Sequence, residues 1–218
     1  DDDPNTKFTE FIENPNQIFK SNYKLPKILQ HSPPLISVCC FFGSVKCFRS
    51  LIDLGADPLI NDELNYTTAH FVAFSGNLEI ARDLFNLGVD FQEPTQQLFQ
   101  YMPFLYPSQE FYPQTIAAIN LKQDFINWLW LKGCKIDKTL LIYSSAYGNI
   151  ETIKFLFDTL HFFGEDDDDD ENDDIIKRSL NSAAVNGQDK IITFLLQKFP
   201  KFDLVEPLIY AARNGSIN

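Results

Sequence analysis

Four cysteines and three histidines are the residues of this 218-residue chain best suited to hold a metal or act in catalysis. A zinc site needs about four Cys, His or carboxylate ligands at set spacing. Cys39, Cys40 and Cys47 are followed by no second CxxC and no His/Cys pair, and Cys134 stands apart. A cysteine nucleophile needs a positioned base, and His31 and His161 sit in loop-like stretches with no partner set. The cysteines have no disulfide-framework spacing and fall inside helical patterns. They read as reduced, half-buried small apolar residues of a cytoplasmic or nuclear protein. Residues 165–174 (EDDDDDENDD) hold nine acids, yet calcium loops alternate their ligands and place a glycine for the turn. Self-repulsion and the lack of apolar residues predict instead a disordered acidic loop over 164–174 that draws basic partners by long-range attraction. No catalytic, metal or cofactor set emerges, so the expectation is a non-enzyme.

Charge excludes another class. The net charge of −12 comes from that run and from Asp1–Asp3; outside them 18 acids face 18 Lys and Arg. A nearly neutral body lacks the clustered cations that phosphate-backbone binding requires. The longest apolar run, around 33–45, is too short to span a bilayer, and no signal peptide precedes it. The chain starts at Asp1 rather than Met, which suggests a fragment. The 44% hydrophobic content suffices for a core, and 21 Phe against a single Met point to aromatic packing.

The elements that carry these residues recur. In Asn65–Phe91, Thr67 stands at an N-cap position, a short helix over Thr68–Ser75 carries small Val72 and Ala73, and Gly76 ends it. Asn77 then caps a second helix whose Leu78, Ala81, Leu84 and Phe85 form one apolar face, with Glu79 complementing its N-terminal charge and Gly88 closing it. A unit this short cannot bury its own faces and needs like neighbours. Pro34–Pro58 is a copy: Gly43 and Gly55 lie 33 residues before Gly76 and Gly88, and Cys39 and Cys40 fill the small slots. Thr115–Asp137 is a third copy with Ala117 and Ala118, but Leu121 stands where glycine is expected, which leaves its turn open. Thr139–Leu160 is a fourth, with Thr139 as cap, Ser144 and Ser145 in the small slots and Gly148 at the turn. Arg178–Phe199 is a fifth, and a sixth from Glu206 stops after one helix, as in a fragment of a longer array or a chain whose end is disordered. Residues 1–31 read as two short helices capping the array, which spans 32–218. The stretch 92–113 is an insertion rich in aromatics (Phe99, Tyr101, Phe104, Tyr106, Phe111, Tyr112) that packs over the third copy, the alternative being an exposed docking element.

The 33-residue period, the glycine pair, GADP at 55–58 and TTAHFVAFSGN at 67–77 resemble ankyrin repeats. Thr67, His70, Ala73 and Gly76 match the TPLHxAAxxGH pattern, while Thr68 replaces its Pro and Ala69 its Leu. The stretch 22–52 is further similar to divergent protist arrays catalogued as a domain of unknown function. The resemblance implies an all-α solenoid of five to six helix pairs, a structural His70 that orders the turn before its helix, and a concave face for a protein or peptide partner. On that face it places the residues before each turn: Phe41, Phe42, Phe74, Ser75, Ile119, Asn120, Ala146, Tyr147, Val185, Asn186, Arg213 and Asn214. Aromatics mark its N-terminal half and polar residues its C-terminal half. It implies no activity. No cofactor, nucleic acid or membrane partner is expected, and the chain is expected to be a monomer in isolation. The alternative is a scaffold subunit that makes its contacts through the insertion or the convex face.

Overall fold

The computed structural model describes residues 14, 16, 18, 26–95, 110–163 and 170–213. These form five helix pairs and a final single helix: α1 Leu35–Phe42 with α2 Val45–Asp53, α3 Thr68–Ser75 with α4 Leu78–Asn86, α5 Pro113–Ile119 with α6 Gln123–Leu131, α7 Leu140–Tyr147 with α8 Ile150–Lys154, α9 Asp170–Val185 with α10 Asp189–Lys198, and α11 Val205–Arg213. Each first helix packs on the first helix of the next pair, and α2, α4, α6 and α8 follow one another in an outer layer. The fold is an all-α helical solenoid, and one continuous hydrophobic core runs through it from Ile28 to Phe199.

Close stacking requires small side chains midway along each first helix. Cys39, Cys40, Val72, Ala73, Ala117, Ala118, Ser144, Ser145, Ala183 and Ala184 are all buried there. Burial pushes the Cys39 thiol up to about 12 and raises Cys40 well above its ordinary value. All four cysteines are free thiols.

The turn between paired helices is also an inter-repeat clamp. Asn77 Oδ1 accepts from the Glu79 and Ile80 N–H groups, both at 3.0 Å, capping α4, while Nδ2 donates to the Gly43 carbonyl of the preceding pair at 3.2 Å. Asn149 repeats this, accepting from Thr152 N–H at 3.1 Å and donating to Ala118 O at 3.1 Å. At the third pair Lys122 takes this position and makes no side-chain cap; its methylenes lie so close over Gly76 that a Cβ there would fall 2.8 Å from Lys122 Cδ. Leu121 nevertheless keeps the left-handed turn, at φ 58°. That conformation crowds a Cβ against the backbone, and the leucine side chain is left 58% exposed.

Three expectations need correction. The acidic stretch is helical from Asp170, because Asp170, Glu171 and Asp173 sit in the first turn of α9, where negative charge meets the helix dipole. Asn172, Ile175 and Ile176 of the same turns are buried, and Lys138 Nζ (3.0 Å to Asn172 Oδ1) and Lys201 Nζ (2.9 Å to Asp173) tie them down; 164–169 lie outside the described residues. Thr139 is in helical conformation and makes no side-chain cap; Asp137 instead accepts from Thr139 N–H at 2.6 Å. At the N-terminus, Ile18 pairs with Pro34 in an extended bridge rather than a helix, and Asn16 Oδ1 anchors the segment by accepting from Asp57 N–H at 2.7 Å. A 3-10 turn over Lys27–Leu29 follows; the expected helical residues Phe8, Phe11 and Ile12 lie outside the described residues. The second helix of the fourth pair also departs from its template, continuing from α8 into a π-helical turn over Phe155–Thr159. Phe157 is buried there against Phe163, Phe194 and Phe199.

Candidate functional site: the ridge before the turns and the neck of the insertion

Phe41, half-buried, packs its ring on Phe74 of the next pair at 4.7 Å and receives the edge of Phe42 at 5.0 Å. Phe42 is 62% exposed. An aromatic cluster thus opens at the C-terminal ends of α1 and α3. Ile119, Tyr147 and Val185 are half-buried at the same register, whereas Ala146 is buried.

Polar members of the ridge are partly committed to the fold. Ser75 Oγ donates to the carbonyls of Cys40 and Val72 at 2.8 and 3.0 Å, Asn120 Nδ2 to Ile116 O at 2.8 Å, and Asn186 Nδ2 to Ser182 O at 2.8 Å. Asn186 and Arg213 are exposed. Asn214 lies outside the described residues.

His70 is completely buried, and Thr67 and His70 form a capping box at the start of α3. The Thr67 N–H donates to His70 Nδ1 at 3.2 Å, so the proton resides on Nε2, which donates to Phe111 O at 3.1 Å. Burial lowers its pKa to about 4, with the Phe111 carbonyl acting in the opposite direction. The histidine is therefore neutral, and it clamps the second pair to the start of the third. The same Phe111 carbonyl accepts from Thr95 N–H at 2.9 Å, Phe111 N–H donates back at 2.8 Å, and Thr95 Oγ1 donates to Leu64 O at 3.0 Å. Two backbone bonds thus close the neck of the aromatic insertion. Phe111 is buried against the Tyr143 ring at 5.8 Å, while Phe99, Tyr101, Phe104 and Tyr106 lie outside the described residues.

This architecture agrees with known proteins. Residues 36–85, which hold α1 to α4, match the family model of ankyrin repeats (many copies). That segment is built of ankyrin repeats. No curated protein matches the chain. Ankyrin repeats are generally protein–protein interaction modules. Among the described residues, no group of three or more His, Cys, Asp or Glu could hold a metal ion, and no helix is long and apolar enough to cross a membrane.

The outer layer holds exposed groups that the sequence pattern did not flag as sites. In α6, Leu131 is 75% exposed and Trp130 42%, while Asp53, Asn86, Asp158 and Gln197 take the register of Leu131 in the other second helices. Trp130 packs its ring against Phe155 at 5.7 Å, and Lys132 Nζ lies 5.1 Å from the Phe85 ring. Comparing the second helices position by position exposes this departure; a motif search does not.

Proposed function

We propose that the protein is a non-enzymatic interaction module that binds a partner protein or peptide along the ridge formed by the C-terminal ends of its first helices. The observation that carries this reading is Phe42, a large aromatic side chain 62% exposed beside the half-buried Phe41–Phe74 stack. Aromatic anchors on rigid elements concentrate binding energy. Toward the C-terminal end, Tyr147, Asn186 and Arg213 add polar contacts that select register rather than strength. For a partner captured from the source cells, Phe42→Ala and Phe74→Ala weaken binding by roughly 10-fold or more, about 1.4 kcal/mol. Binding unchanged in both, with circular dichroism confirming the fold, removes the ridge as the site.

A scaffold role through the convex face is the second reading, favoured by Leu131, 75% exposed where the other pairs place Asp53, Asn86, Asp158 and Gln197, with the half-exposed Trp130 beside it. Here Leu131→Glu, and not Phe42→Ala, releases the partner.

A further inference from the structure

A cavity of about 170 Å³ lies between the neck of the insertion and the turn after α6, lined by Phe91, Gln92, Tyr112, Gln114, Leu129, Cys134, Lys135 and Asp137. Two glutamines set its polarity. Gln92 Oε1 accepts from Lys135 N–H at 2.7 Å and Gln114 Oε1 from Asp137 N–H at 3.4 Å. Because a backbone N–H can only donate, both glutamines must turn their oxygens to the backbone and keep their NH₂ groups for something else. Gln114 is only 5% exposed, and its NH₂ has no partner among the described residues. The NH₂ is not sealed from solvent, and the cavity that Gln114 lines is where an acceptor can reach it. Phe91 and Leu129 supply buried apolar wall. Lys135 and Asp137, of opposite sign, leave the cavity without net charge.

We infer that this cavity binds a planar oxygen acceptor, a carboxamide or carboxylate, carried on an apolar stem the size of one side chain. Whole-ligand pockets measure about 300–1,000 Å³, so this one is sized for an anchor group. The bearer of that group is an anchor residue of the protein partner; this identity rests on the interaction-module reading, whereas the chemistry of the cavity does not. An acceptor held there exchanges the amide's bond to water for one to the partner, and the apolar wall adds burial of the stem. The site is separate from the Phe41–Phe42–Phe74 ridge, which shares none of its lining residues.

Cys134, half-buried in the lining, reports occupancy through its rate of alkylation by iodoacetamide, with Cys47 of α2 as internal reference. Benzamide and benzoate are the probes, and benzylamine is the control that offers a donor instead of an acceptor. At a concentration ten times its Kd, an occupying probe slows Cys134 alkylation about tenfold and leaves Cys47 unchanged. Protection by benzamide alone identifies a neutral carboxamide as the preferred head, and protection by benzoate identifies a carboxylate. Gln114→Leu abolishes protection; Gln92→Ala, at an exposed position, tests the second donor should Gln114→Leu fail to fold. The inference is overturned if neither acceptor probe protects Cys134, if benzylamine protects equally, or if protection survives the loss of both glutamine amides. Phe42→Ala leaves fragment protection intact, so failure of the ridge and failure of the cavity give different results.

Discussion

The second and third pairs build the same helix–turn–helix from different residues, and the difference shows which features the fold demands. In the second, a Thr67–His70 capping box starts α3, glycine turns the chain at 76, and Asn77 both caps α4 and reaches back to Gly43. In the third, Tyr112 and Pro113 start α5, Thr115 takes the histidine register, Leu121 makes the left-handed turn, and Lys122 lies over Gly76 without a side-chain cap. Backbone geometry survives all four replacements. What the third pair loses is polar clamping, and what it gains is apolar surface: Phe125, Trp128 and Phe91 form an aromatic cluster that Phe85 joins. Stacking of the first helices fixes the architecture, and local hydrogen bonds tune each junction.

The largest contrast is in pH. His70 has a folded pKa of about 4, below its ordinary value of 6.5, and Thr115 at the same register does not titrate. Above pH 6.5 both folded and unfolded chains hold a neutral imidazole, so its contribution is complete. As pH falls from 6.5 to about 4 the unfolded chain takes up the proton first, and roughly 3 kcal/mol of stability is lost across that window. Urea midpoints measured from pH 7.5 to 4 report it. In His70→Thr, which copies the third pair, that portion of the slope disappears; a slope unchanged by the substitution assigns the acid sensitivity to the carboxylates instead.

Next in size are the clamps. Asn77→Ala and Asn149→Ala each lose a cap, worth about 1 kcal/mol, and an inter-repeat bond of similar size. Each is expected to destabilise by about 2 kcal/mol in chemical denaturation. Lys122→Ala removes no such cap and costs under about 1 kcal/mol, mostly from lost packing of its stem over Gly76. Equal costs at 77 and 122 would mean that the clamp contributes little beyond packing.

These junctions also mark how far the sequence was legible. Glycine spacing and small-residue slots located the helix pairs because both follow from close stacking, a requirement every pair shares. Asn77 could be read as a cap, since capping is local; its bond to Gly43 could not, because it depends on the offset between neighbouring pairs. The acidic stretch misled for a similar reason. Composition records the repulsion among its carboxylates but not Lys138 and Lys201, which arrive from distant sequence to pair with the first turns of α9. The shared position of the ridge residues before each turn is a matter of register, which sequence carries; the cavity at Gln114 was invisible because its lining comes from segments on both sides of the insertion.

The turn residues exchange with an opposite sign. Leu121→Gly removes left-handed strain of about 1–2 kcal/mol and sacrifices a side chain already 58% exposed. It is expected to stabilise by about 1 kcal/mol after the entropy cost of the added glycine. Gly76→Leu imports the same strain and drives a Cβ to 2.8 Å from Lys122 Cδ, so it destabilises by at least as much. A gain at 121 that fails to appear would show that the leucine makes a contact large enough to offset its backbone strain.

The smallest effect lies in the small-residue slots. Ser144 and Ser145 of α7 occupy positions that the third pair fills with Ala117 and Ala118, and their hydroxyls are buried with no hydrogen-bond partner among the described residues. Ser179 of α9, by contrast, donates to Ile175 O at 2.7 Å. A buried hydroxyl without a partner is a desolvation cost that alanine removes at nearly constant volume. Ser145→Ala is therefore expected to raise stability by about 0.5–1 kcal/mol, while Ser179→Ala gives no gain. Urea midpoints of the two variants separate the cases: a loss at 145 would mean that ordered water meets its hydroxyl, and that the polar slots of the fourth pair are satisfied by solvent rather than merely tolerated.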